Sequence, residues 1–169
     1  MKIYVGTFYE VCFAVSPVMM PELLDASAVM RVLAHRYPIL LVDRIQIIEP
    51  GKRVEGLKRV TGAESLGYSC RESRPSLPDM LVVEALAQTS AALLLGLVGS
   101  TEGAVGYFAA IERVRLRGPA VAGDTLLLAV QLKSFRRGVA HLDGLASVAG
   151  RRVVSARFTT IVRGASQVR

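Results

Sequence analysis

A glutamate stands in the middle of a segment with almost no other polar group. Residues 77–98 read Leu-Pro-Asp-Met-Leu-Val-Val-Glu-Ala-Leu-Ala-Gln-Thr-Ser-Ala-Ala-Leu-Leu-Leu-Gly-Leu-Val. Apolar side chains fall on nearly every side of the helix this spells, and such a helix is a buried one. Glu84 and Gln88 are its strongly polar interior residues. Four positions apart, they share a face. Taking a carboxylate out of water is costly, so its presence points to proton chemistry. The plainer alternative is a structural carboxylate held by Gln88 or a backbone donor. The other groups able to do chemistry are His35, His141, Cys12 and Cys70. Arg71 and Arg74 would draw a thiol at Cys70 toward thiolate, and Glu72 would oppose them. With no histidine near it in sequence, Cys70 reads as a small inert residue rather than a nucleophile. Two cysteines give neither a disulfide framework nor a metal-ligand spacing, so no metal is expected.

The elements that must position these groups follow from the rest of the chain. Its 169 residues suit one domain with a core of its own. Apolar residues make up 51% and charged residues 21%, a globular balance. Glu84 and Gln88 interrupt the longest apolar run, so no membrane span is expected. Cysteine usage fits a reducing cytoplasm. The net charge of +7 and pI near 9.9 favour acidic partners. Nucleic acid is not supported, since there is no zinc spacing, no aromatic RNA-binding strand and no basic recognition helix.

Residues 1–20 form an apolar, aromatic N-terminal extension, either an arm packed on the domain or a start-site extension, and 21–169 form the single domain. Lys2 as the lone basic residue, with Glu10 interrupting, argues against a secretory signal. Pro21 to Leu33 reads as a short helix, stopped by His35-Arg36-Tyr37-Pro38. Leu40 to Ile48 and Arg53 to Val60 read as strands around the Pro50-Gly51 turn. Thr61 to Pro78 reads as loop, followed by the long helix to about Gly99. Four strands then close the chain: 104–117, 125–135, 139–148 and 152–162. Gly138 and Gly150 lie at their junctions. One long apolar helix against an antiparallel sheet is an α+β architecture.

Four separated stretches carry a recognisable pattern. His35-Arg36-Tyr37-Pro38-Ile39-Leu40-Leu41-Val42-Asp43-Arg44 resembles a signature of the beta-hydroxyacyl-acyl-carrier-protein dehydratases, as does Leu81-Val82-Val83-Glu84-Ala85-Leu86-Ala87-Gln88. Tyr107-Phe108-Ala109-Ala110-Ile111 and Pro119-Ala120-Val121-Ala122-Gly123-Asp124 resemble two further landmarks, in family order over residues 29–163. The resemblance implies a hot-dog fold, with a sheet wrapped around one long helix. It implies homodimers, often assembled as hexamers, with an acyl tunnel at the subunit seam. It implies a carrier-linked substrate, on an acyl-carrier protein or coenzyme A, and no separate cofactor. It makes Glu84 a catalytic carboxylate and places Asp79, Met80, Gln88, Tyr107 and Phe108 along the substrate path. The family's other catalytic group is a histidine fourteen positions before that glutamate. Here that position is Cys70, and the glycine that opens the family's helix is Asp79.

Dehydrating a beta-hydroxyacyl thioester takes a base for the proton alpha to the carbonyl and an acid for the leaving hydroxyl. Donors at the carbonyl oxygen hold the developing charge. Histidine suits the base and a buried carboxyl suits the acid. Cys70 is a poor base, and an ionised Asp79 would repel the enolate-like charge. Weakened or altered catalysis is therefore expected. The alternatives are a non-catalytic acyl-thioester-binding module that pairs with an active relative, or a thioesterase in which Glu84 directs water. His35 and Arg36 read as structural, and Asp43 with Arg44 as a polar pair. Arg113, Arg115 and Arg117 alternate along a strand and so share a face, while Arg136 and Arg137 sit at a strand junction. These five are either a solvated face or a landing surface for an acidic carrier protein.

Overall fold

Alternation along the chain's longest strands decides which face meets the helix. In Thr125–Arg136 the residues Leu126, Leu128 and Val130 are buried, and Leu127 and Gln131 are exposed. A computed structural model describes residues 2–3, 11–12, 22–64, 75–98 and 105–163. Its elements are β1 (Lys2–Ile3), β2 (Val11–Cys12), β3 (Leu23–Leu24), α1 (Ala26–Val32), β4 (Arg44–Glu49) and β5 (Arg53–Arg59). After a 3₁₀ turn at Gly62–Glu64 come β6 (Ser76–Leu77), α2 (Asp79–Val98), β7 (Val105–Leu116) and β8 (Ala120–Val121). The chain finishes with β9 (Thr125–Arg136), β10 (Val139–Val148) and β11 (Arg151–Arg163). One antiparallel sheet runs in the order β1-β7-β11-β10-β9-β5-β4-β3, with β2 also on β7, and β6 pairs separately with β8.

The sheet packs its apolar face on α2, as the α+β reading requires. α2 opens on Pro78, whose carbonyl accepts from the Leu81 N–H at 2.8 Å. Asp79 in the first turn suits the helix dipole. By length and composition α2 could cross a membrane, but most of it is buried inside the protein. Its buried hydroxyls are satisfied within the helix, Thr89 donating to the Ala85 carbonyl and Ser90 to the Ala87 carbonyl. The buried Lys58, on the inward row of β5, is neutralised by Glu64.

Several elements differ from the sequence expectation, among them the Gly62–Glu64 turn and β6 inside the stretch expected as loop. The helix expected over Pro21–Leu33 is shorter, because Leu23–Leu24 pair with Gln46 and Ile45. Asp25 caps α1 instead, its Oδ1 accepting the Ala28 N–H at 2.8 Å. The strand expected from Leu40 starts only at Arg44, because the 39–41 backbone is claimed by α2, as described below. Nor do Asp43 and Arg44 form a pair. Asp43 accepts the Arg59 N–H at 2.6 Å and so fixes the start of β4 against the end of β5.

At Gly56 the sheet approaches the helix closely. A Cβ there would lie 2.5 Å from Thr89 Oγ1 and 3.2 Å from its Cγ2. Gly56→Ala is therefore expected to cost about 1–3 kcal/mol through overpacking. Thermal melts should show Tm lower by roughly 2–12 °C for a domain of this size. Adding Thr89→Ala should recover most of that loss. An unchanged Tm in the single variant would contradict the packing described here.

Candidate active site

Helical spacing puts Met80, Glu84 and Gln88 on one stripe of α2. Exposure falls along it, from 53% at Met80 to 30% for the Glu84 side chain and 1% at Gln88. The stripe thus runs from solvent at the helix N-terminus into the core at Gln88. Glu84 is half-buried in the single chain, less enclosed than the apolar sequence around it suggests.

Gln88 is the anchor of the site. Its Oε1 accepts the Leu41 N–H at 3.0 Å. Its Nε2 donates to the Ile39 carbonyl at 2.8 Å and to Glu84 Oε1 at 2.9 Å. The backbone partners fix which end of the amide is oxygen. Both amide hydrogens are spoken for, so no N–H of Gln88 is left for a substrate. Gln88 positions; it does not donate to an acyl group. Residues 39–41 are held on α2 by this one side chain, which is why they are not strand. Gln88→Leu would strand the buried Leu41 N–H and free Glu84. A loss of about 2–4 kcal/mol is expected from the unsatisfied groups. It should be read as a lower Tm, together with new proteolytic cleavage between residues 35 and 43. A melt unchanged by the substitution would contradict the anchor role.

The same loop delivers a group that the sequence reading treated as structural. His35 Nε2 lies 3.5 Å from Glu84 Oε1, and the His35 side chain is 15% exposed. Its Nδ1 is buried with no hydrogen-bond partner among the described residues. Arg36, by contrast, is structural as expected, donating from Nη1 to the Leu33 and His35 carbonyls, each at 2.7 Å. Glu84 Oε1 is therefore faced by a donor amide and an imidazole. Glu84 Oε2 has no hydrogen-bond partner among the described residues, and both contacts fall on Oε1. The signal for His35 was present: its own motif and the Glu84 motif are the two stretches that Gln88 ties together.

The other expected site residues are spread further apart. Cys70 lies outside the described residues. Asp79 stands in the first turn of α2, before Met80. Phe108 packs edge-on against Phe158 in the core, ring centroids 5.7 Å apart. Tyr107 is its neighbour on β7, opposite Ile161.

The five arginines do not share one surface. Arg113 and Arg115 lie on the sheet face turned away from α2. Arg117 follows β7 and donates its N–H to the Val153 carbonyl, at the end of the sheet where α2 begins. Arg136 and Arg137 are at the opposite end, beyond the Gly51 turn that touches Leu97 of α2. Among the described residues no cluster could hold a metal ion.

Comparison with known proteins bears on this site. The FabA-like domain family matches residues 33–157. A 3-hydroxyacyl-[acyl-carrier-protein] dehydratase FabZ of Syntrophotalea carbinolica is 40% identical over 146 residues, covering 86% of this chain and 97% of that protein. The FabZ of Thermus thermophilus is 37% identical over 143 residues, covering 85% of this chain and all of that protein. Among solved structures, a chain of the dehydratase heterocomplex ApeI:P from Xenorhabdus doucetiae superposes with a TM-score of 0.65 at 16% identity, covering 79% of this chain and 90% of that one. A hot-dog-like protein from Thermanaerovibrio acidaminovorans superposes with a TM-score of 0.56 at 17% identity, covering 68% and 82%.

Proposed function

Given that this chain is a hot-dog protein of the FabA-like, FabZ-type dehydratase family, we propose that it works on carrier-linked 3-hydroxyacyl thioesters with Glu84 as its proton-transferring acid. The observation that carries this reading is the Glu84 carboxylate, held by Gln88 and faced by His35, midway between exposed Met80 and buried Gln88. In the forward step a base takes the proton alpha to the thioester carbonyl, and those electrons form the carbon–carbon double bond. The C3–O bond breaks, and Glu84 gives its proton to the departing hydroxyl, which leaves as water. The carboxylate left behind is stabilised by the Gln88 N–H and by the imidazole 3.5 Å away.

His35 does not replace the missing base. Its Nε2 is turned to Glu84 and its Nδ1 is buried, so neither nitrogen meets the alpha carbon while Glu84 meets the hydroxyl. His35 acts through Glu84. The base position falls on Cys70, and dehydration by this chain alone is accordingly weakened. We place the acyl chain at a homodimer seam, as in the family, with Met80 at the mouth. Of the five arginines, Arg117 is nearest in the chain to β8, which pairs with the Ser76–Leu77 segment leading into α2, and there the acidic carrier protein is expected to dock. The substrate brings its own phosphopantetheine, and no further cofactor is needed.

The test follows a 3-hydroxyacyl carrier protein by mass after incubation with the pure protein. Slow loss of water is the expected result. No change at all would favour a binding module, and release of the free acid a thioesterase; either would overturn the dehydratase reading.

A further inference from the structure

The face of the sheet away from α2 carries a second concave site, independent of Glu84. Cross-strand register lays out three rows there. Arg53, Gln131, Asp143, Arg157 and Glu112 form the first; Glu55, Ala129, Leu145, Ser155 and Arg115 the second; Leu57, Leu127, Ser147 and Arg152 the third. Between Glu55 and Arg115 the middle row is small or apolar, and the surface sinks along Ala129, Leu145 and Ser155. The resulting groove has a volume of about 540 Å³. That is within the range of small-molecule sites, roughly 300–1,000 Å³. Its separation from the Glu84 site is set by alternation. Gly144, between Asp143 and Leu145, turns inward, where a Cβ would lie 3.4 Å from Leu86 of α2.

Five arginines line the groove: Arg53, Arg113, Arg115, Arg152 and Arg157. Two are neutralised locally, Arg53 by Glu55 and Arg157 by Asp143 at 2.8 Å. The hydrogen bond to Asp143, and next its charge, raise the Arg157 pKa above the usual guanidinium value. Arg113, Arg115 and Arg152 make no ion pair among the described residues, and the one acid beside them, Glu112, precedes Arg113 and stands opposite Arg157. They gather at the Ser155 end, Arg115 directly opposite Ser155 in the register. Like charges so gathered repel unless an anion joins them.

The backbone is bent to produce this grouping. Between Glu112↔Arg157 and Arg115↔Ser155 the β7 strand carries one residue more than β11. Arg113 takes up the bulge with φ of 54°, a conformation that non-glycine residues seldom adopt. Because side chains alternate, the extra residue turns Arg115 outward, while Val114 packs against the core. A regular strand would have sent Arg115 toward α2. The strain is retained where it places two guanidiniums beside one serine.

We infer that this groove binds a phosphorylated small molecule of nucleoside diphosphate size. The phosphates sit among Arg113, Arg115, Arg152 and the Ser155 hydroxyl, since guanidiniums grip phosphate oxygens in pairs. The organic body lies on Ala129 and Leu145. An added peptide strand is disfavoured, because β9, β10 and β11 are paired on both edges and offer no free backbone groups.

Calorimetric titration of the full chain with ADP, with inorganic pyrophosphate and with a glutamate-rich peptide tests this. ADP is expected to bind at one site per chain. Arg115→Ala and Arg152→Ala should each weaken it at least tenfold, and Arg113→Gly, which suits the same backbone, should do likewise without lowering Tm. Arg31→Ala on α1 should change nothing. Pyrophosphate binding as tightly as ADP would overturn the assignment of an organic body. Binding of the peptide but not ADP, or ADP binding untouched by the three groove variants, would overturn the site itself. None of these readouts depends on dehydration.

Discussion

Cys70→His combined with Asp79→Gly is expected to raise dehydration of a 3-hydroxyacyl carrier substrate by at least about 10². The register behind the first change is sequential: Cys70 stands fourteen positions before Glu84, with Pro75 and Pro78 between them. A histidine there supplies the base that the pair of His35 and Glu84 cannot. General-base catalysis is worth about 10²–10⁴ in rate. The second change acts on the carbonyl. In the first turn of α2 the Pro78 carbonyl takes the Leu81 and Val82 N–H groups, which leaves those of Asp79 and Met80 as the donors able to hold an enolate-like oxygen. A carboxylate at Asp79 sets negative charge beside that oxygen. Removing one oxyanion donor typically costs about 10²–10³, so the repulsion lies on the same scale. Each single variant should gain less than the pair. Initial rates of water loss by mass are the measurement, with Tm as the control for folding. A folded double variant no faster than the parent would mean that Cys70 does not occupy the base position.

Much of this site could be read from the chain before its geometry was known. The Glu84–Gln88 pairing followed from helical spacing and appears as a 2.9 Å hydrogen bond. The last three strands followed from alternation and turn glycines, and their bounds shift by a residue or two. What stayed hidden was long-range. Nothing local in Leu40 to Asp43 shows that its backbone belongs to a glutamine 47 positions away, so its composition reads as strand. His35 reads as structural from its own segment, and the carboxylate it meets lies on another element. Pro21 looked like a helix start, and only the pairing of Leu23 and Leu24 with β4 shows otherwise. The arginines illustrate the opposite failure. Strict alternation groups Arg113, Arg115 and Arg117; Arg113 and Arg115 do share the outer face, through a bulge that no residue type announces, but Arg117 lies past the end of β7. Register is a property of two strands, and one strand's sequence carries only half of it.

Glu84→Gln is the second large effect, and it separates the acid from its scaffold. Glutamine keeps the size of the side chain, and its carbonyl oxygen accepts the Gln88 N–H as Oε1 does now. The fold should therefore hold, with Tm within a few degrees of the parent. Catalysis should not hold. An amide has no proton to give to a departing hydroxyl, so kcat is expected to fall by about 10²–10⁴, while KM moves little because Met80 and the apolar wall are untouched. The measurement is best made in the Cys70→His, Asp79→Gly background, where a large rate leaves room for a large fall. Glu84→Asp there provides the internal comparison. It retains the carboxyl but draws it back from the substrate by one methylene, and an intermediate rate is expected. Full activity in the glutamine variant would remove the carboxylate from the reaction. It would leave Glu84 as an acceptor for Gln88 and nothing more, and the cost of sinking a charge in α2 would have to be explained by structure alone.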